Sequence, residues 1–174
     1  MTNFRVMRIY LVGFMGSGKS HWGRLLSSKL TLPFFDLDKQ ITEDENRSIV
    51  EIFEEKGEEY FRMMEKETLY ILTESHESFV MACGGGTPCY FNNIDYMNNS
   101  GTTVWLNTRL DVLFNRLLKE KEHRPLLKDL SDAQLKQYIL KKFSERRIYY
   151  EQADLVVEES EASVDSLIQH IMHV

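Results

Sequence analysis

The sequence predicts an α/β fold built on a five-stranded parallel sheet with helices on both faces. Three observations predict it. Short apolar runs alternate with amphipathic stretches along the whole chain, the order that parallel βαβ units require. A glycine-rich run stands between the first such strand and the first helix. The length of 174 residues fits one domain, large enough to bury roughly 70% of its unfolded surface without disulfides.

The elements follow in order. Arg8 to Val12 reads as a short buried strand, and Lys19 to Leu30 as a helix with Leu25, Leu26 and Leu30 on its apolar face. Pro33 to Phe35 opens a second strand that ends in Asp36-Leu37-Asp38. Ile41 to Lys56 reads as a helix with Ile49, Ile52 and Phe53 on one stripe; Gly57 punctuates it, and helix resumes from Glu58 to Glu74. Phe79 to Ala82 is a third strand, stopped by Gly84-Gly85-Gly86. Thr103 to Leu106 is the fourth, followed by a helix over Leu110 to Leu118. His123 to Leu130 mixes charge with apolar residues around Arg124-Pro125 and reads as a loop. A helix over Asp132 to Tyr150, a strand at Leu155 to Val157 and a helix over Val164 to Met172 close the chain. There is no internal repeat and no low-complexity tract.

Gly13-Phe14-Met15-Gly16-Ser17-Gly18-Lys19-Ser20 fits G-x-x-x-x-G-K-[ST] between a strand and a helix. This pattern turns consecutive backbone N–H groups toward phosphate oxygens and adds the positive end of the following helix. Gly16, Ser17 and Gly18 form the cradle, Lys19 reaches the β- and γ-phosphates, and the Ser20 hydroxyl is a ligand for Mg²⁺. ATP with Mg²⁺ is therefore the expected nucleotide.

Asp36 and Asp38 stand at the carboxyl end of a strand, the edge where open α/β sheets bind ligands. Two apart in extended chain, they share a face. One suits a metal held through water and the other a substrate hydroxyl. A helix cap plus a surface carboxylate is the plainer alternative.

Composition excludes several classes. The net charge is −6 and no run is rich in Lys or Arg, which argues against a nucleic-acid partner. No run approaches the ~20 apolar residues of a membrane span. The stretch after Met1-Thr2-Asn3-Phe4-Arg5 is too brief for a signal sequence. Cys83 and Cys89 fit neither a zinc spacing nor a secreted framework, so both are expected as reduced thiols in a cytoplasmic protein. Nothing calls for an obligate interface, and a monomer is expected.

Five motifs in order resemble those of the shikimate kinases, over Arg8 to about Val157. Besides the phosphate loop they are Phe34-x-Asp36-x-Asp38, Phe61-Arg62, Gly84-Gly85-Gly86, Arg124-Pro125-Leu126-Leu127, and Arg146 through Tyr150. The resemblance implies sheet order 2-3-1-4-5, a mobile lid at about 120–134 and a substrate-binding helical region at about 38–62. It implies transfer of the γ-phosphoryl of ATP to the 3-hydroxyl of shikimate, in aromatic amino acid biosynthesis. Asp38 would bind the ring hydroxyls and accept the proton, with Asp36 in the metal's outer shell. Arg124 on the lid would stabilise the transferring phosphoryl group, and Arg116 is a candidate for stacking on adenine. Arg62 and Arg146 would fork the substrate carboxylate, and Gly84 to Gly86 would bring backbone close to its hydroxyls. The family's proline two residues after the last arginine is Ile148 here, and spacing to Tyr150 favours Arg146 over Arg147. Two other readings remain open. A gluconate kinase would share the loop and lid but not need Phe61-Arg62 and the glycine triplet. A non-catalytic binding regulator should have lost Lys19, Asp38 or Arg124.

Overall fold

The computed structural model describes residues 6–124 and 126–174. Residues 1–5, and Pro125 of the Arg124–Leu127 run, lie outside them. Five strands form one sheet: β1 (Arg8–Val12), β2 (Phe34–Asp36), β3 (Phe79–Ala82), β4 (Thr102–Asn107) and β5 (Leu155–Glu158). All neighbours are parallel and the order is β2-β3-β1-β4-β5, as expected. β1 sits at the centre, with Ile9 opposite Val80 on one side and Thr102 on the other.

Successive side chains of a strand point to opposite faces. Ile9 and Leu11 of β1 therefore join Val80, Val104 and Leu106 beneath α1 (Lys19–Leu30) and α7 (Val164–Met172). Tyr10 and Val12 face the other way, into a larger core with Met81 and Trp105. That core is closed by α3 (Ile49–Ser75), α4 (Asn93–Ser100), α5 (Leu110–Glu120) and α6 (Asp132–Tyr150), with α2 (Leu37–Glu45) at its edge. No described helix is long and apolar enough to cross a membrane.

Four readings of the sequence need correction. The predicted helix over 41–56 is two helices. Asn46 turns left-handed (φ 50°) and ends α2, and Ser48 with Glu51 forms a capping box that starts α3. Second, the strand does not run on through Asp38. It ends at Asp36, whose carboxylate caps α2 by accepting from the Lys39 N–H at 3.2 Å; Asp38 lies in the helix's first turn. Third, Leu25 is exposed. The buried stripe of α1 runs through Trp22, Gly23, Leu26 and Leu30, and Leu25 stands about 100° away from Leu26. Fourth, the sequence reading lacks α4. It is eight residues long, three of them Asn, and only Ile94 and Met97 mark a buried face, too little for a periodic signal.

Gly57 bends α3 in mid-course (φ 85°) with nothing within 4 Å of where a Cβ would stand. The glycine is required by the backbone and not by space. The bend separates Ile49–Phe53 from the segment that carries Phe61, Arg62 and Glu65. The 120–134 stretch begins in the last turn of α5 and ends in the first turn of α6. Its two ends are tied: Lys121 Nζ donates to the Leu130 carbonyl at 2.5 Å and lies 3.7 Å from Asp132. Between them Leu127 is buried in the larger core, so the stretch is seated over the body of the protein.

Candidate active site

Three strands end together, and each hands the chain to a loop or helix start that carries polar groups. β1 leads into the Gly13–Ser20 loop, β2 into Asp36 and Asp38, and β3 into Cys83 and the glycine triplet. Two cavities open above these ends, of about 550 and 470 Å³. They adjoin, sharing Met15, Asp38, Gly84, Gly85 and Arg124 as common walls.

The first cavity is lined by Gly16, Gly18, Lys19, Ser20, Asp36, Arg116 and Glu159. Ser17 is buried behind the loop, its N–H donating to the Phe14 carbonyl at 3.1 Å. Lys19 Nζ donates to the carbonyls of Gly13 and Phe14, each at 2.9 Å, which fixes the ammonium above the loop. Burial lowers its pKa to about 8, against the opposing charge of Asp38. Ser20 Oγ donates to Asp36 Oδ2 at 2.7 Å. A hydroxyl and a carboxylate side by side are hard oxygen donors, few in number. They suit Mg²⁺, which keeps several waters and takes the rest of its shell from phosphate. Asp36 is thus both the helix cap and the carboxylate beside Ser20.

Asp38 faces the shared wall. Burial raises its pKa from 3.8 to about 6; the Glu65 and Asp36 carboxylates push the same way, and Lys19 and Arg62 oppose. A methyl on Gly84 would meet a Glu65 oxygen at 2.7 Å and an Asp38 oxygen at 2.8 Å. A methyl on Gly86 would meet Arg62 Nη1 at 2.6 Å. Only glycine admits this approach of backbone to charged groups, which explains the triplet better than a strand stop does.

The second cavity has an apolar wall of Ile49, Val50, Phe53, Leu126 and Leu127 and a charged one containing Arg62 and Arg146. Arg62 is buried rather than an ordinary surface arginine. Its Nη1 donates to Glu65 at 2.9 Å, and its Nε and Nη2 donate to Glu58 at 3.3 and 3.2 Å. Its guanidinium also lies 4.3 Å from the Tyr90 ring centroid. Glu65 is fully buried and accepts from Thr87 Oγ1 at 2.6 Å as well. Arg146 lies over the Phe14 ring at 5.7 Å and beside Gly85, whereas Arg147 is exposed and paired with Glu151. Tyr150 Oη donates to the Gly85 carbonyl at 2.5 Å. The R-x-x-x-Y spacing therefore places two side chains of one helix face on a single glycine. Arg124 lines both cavities and pairs with Glu120 at 2.6 Å. Arg116 donates to the Gly16 carbonyl at 3.0 Å and pairs with Glu159.

Sequence reasoning missed Glu65, Glu58 and Glu159. The first two had a signal: Glu58, Arg62 and Glu65 are spaced i,i+4 and i,i+3 on a helix, the separations at which side chains meet. Glu159 is 43 residues from Arg116 and had none. Both cysteines are free; burial raises the Cys83 thiol strongly and the Cys89 thiol to about 11.

Comparison with known proteins gives a consistent answer. The shikimate kinase family model matches residues 15–174. The shikimate kinase of Azobacteroides pseudotrichonymphae is 38% identical over 165 residues, covering 95% of this chain and 97% of that one. The crystal structure of shikimate kinase from Bacteroides thetaiotaomicron superposes with a TM-score of 0.88 at 37% identity, covering 96% and 97% of the two chains. That of the Acinetobacter baumannii shikimate kinase in complex with shikimate gives 0.84 at 32% identity, covering 97% and 92%.

Proposed function

This chain belongs to the shikimate kinase family, and from that premise we infer that it transfers the γ-phosphoryl of ATP to the 3-hydroxyl of shikimate. One observation carries the reading at the level of residues. The phosphate-loop cavity and the arginine-lined cavity meet at Asp38, Gly84, Gly85 and Arg124, so a phosphoryl donor in one lies against an acceptor in the other.

The nucleotide cavity takes ATP, with Gly16 and Gly18 lining it and directing N–H groups at its phosphates, while Ser17 holds the loop's turn from behind. Lys19 offsets charge on the transferring group, and Arg124 does so from the lid. Ser20 and Asp36 would hold Mg²⁺, which when bound neutralises phosphate charge. In the other cavity Arg62 and Arg146 take the shikimate carboxylate, while the apolar wall accepts the ring. Glu65 holds the Arg62 guanidinium at Nη1 and Glu58 holds it at Nε and Nη2, so the N–H groups left over have a fixed direction. Asp38 orients the attacking hydroxyl and receives its proton as the new O–P bond forms. Phosphoryl transfer needs little covalent help from protein; positioning and electrostatic stabilisation carry it. The 120–134 lid shields the transfer from water, which limits ATP hydrolysis.

Two unpaired cysteines fit a reducing compartment such as the cytoplasm. The test is ADP release with ATP and shikimate, gluconate or adenylate as acceptor. Turnover with shikimate alone is expected. Turnover with gluconate, or none with any acceptor, contradicts the reading.

A further inference from the structure

The cavity that holds Lys19, Ser20 and Asp36 is also lined by Arg116 and Glu159. Glu159 begins the short turn Glu159–Glu161 after β5, yet its side chain is only 13% exposed. Its Oε1 accepts from Arg116 Nη2 at 3.2 Å and from Trp22 Nε1 at 3.3 Å, and its Oε2 accepts from Arg116 Nη2 at 3.0 Å. Arg116 Nη1 then donates to the Gly16 carbonyl. One carboxylate thus ties α1, α5 and the turn after β5 together and, through Arg116, braces the phosphate loop. Trp22, a bulky residue on the second turn of α1, is explained by the same contact.

We propose that Glu159 is a positioning residue for the nucleotide site, acting through Arg116. It rests on the kinase reading above. A guanidinium held by a carboxylate on one side and a carbonyl on the other has a fixed plane. Such a plane can meet the nucleotide without losing further rotamer freedom when it binds. A carboxylate is suited to this because it only accepts, and Arg116 and Trp22 both donate to it.

Steady-state kinetics of Glu159→Gln test this. KM for ATP should rise ~5- to 10-fold, the net worth of about one hydrogen bond. KM for shikimate should move less than twofold and kcat less than threefold. In an Arg116→Ala background, adding Glu159→Gln should change KM for ATP no further, because Glu159 acts through Arg116. An unchanged KM for ATP in the single variant overturns the proposal. So does an additive effect in the double variant, or an equal rise for both substrates, since either marks a purely structural brace. If Glu159→Gln folds poorly, Glu159→Asp keeps the charge but draws it back by one methylene, and the same split between the two KM values is expected. Absence of ATP-dependent phosphorylation of shikimate by the unaltered protein would instead defeat the kinase reading.

Discussion

Asp38 is charged, enclosed, and pressed by two other carboxylates, an arrangement that costs stability and so invites a chemical reason. Asn at this position keeps the size and one acceptor oxygen but cannot take a proton. Asp38→Asn is expected to lower kcat by ~10²–10⁴-fold, the usual range for lost acid–base catalysis, while leaving Mg·ADP binding intact. Near-normal turnover in the variant would make Asp38 structural. The helix-capping alternative is already accounted for by Asp36, which makes that bond. Arg62 poses a different question, since it is tied to Glu58 and Glu65 on two sides. Arg62→Lys keeps one charge but loses the fork, and KM for shikimate should rise ~10- to 100-fold with KM for ATP little changed. An equal rise in both would assign Arg62 to the scaffold.

At the scale of elements, α6 separates two adjacent arginines that composition cannot tell apart. Arg146 shares a face with Tyr150 four residues on, and both reach Gly85; Arg147 is rotated about 100° from it and pairs with Glu151 at the surface. Arg146→Ala is therefore expected to raise KM for shikimate at least ~10-fold, while Arg147→Ala stays within ~2-fold of the unaltered enzyme. Parallel initial-rate curves for the two variants decide it, and a larger defect in Arg147→Ala would reverse the assignment. The same helix face was legible as R-x-x-x-Y, but its target was not. Nothing in the sequence links Tyr150 to Gly85, 65 residues away.

For the whole molecule, pH joins activity to stability. The free enzyme needs Asp38 ionised and Lys19 protonated. Asp38 titrates near 6 among Glu65, Asp36, Lys19 and Arg62, and Lys19 near 8 among Asp38, Arg124 and Arg146. The profile of kcat/KM should rise through about pH 6 and fall through about pH 8. Stability follows the opposite logic. Between 3.8 and about 6 the folded state binds more protons at Asp38 than the unfolded chain does, so stability from this group falls as pH rises through that window. Asp38→Asn removes that cost. Urea unfolding should find the variant more stable than the parent at pH 7.5, by up to about 3 kcal/mol, and little different near pH 4. A variant less stable at pH 7.5 would show that the charge is well accommodated.

The order of strands and helices along the chain and the phosphate loop are legible in the sequence. These are local signals: a glycine pattern between a strand and a helix, apolar periodicity, an arginine four before a tyrosine. It misread the junctions at Asp36–Asp38 and Asn46–Ser48, because capping bonds compete with propensity over a residue or two. Tertiary structure decided the rest. The sequence shows no partner for Arg62 across the fold; β3 brings the glycine turn to its guanidinium, and Glu65 gains meaning only from Thr87 and Gly84 above it. Parallel strands joined by long crossovers bring their carboxyl ends together from remote parts of the chain. The fields that shift Asp38 and Lys19 arise there, between groups that no local pattern connects.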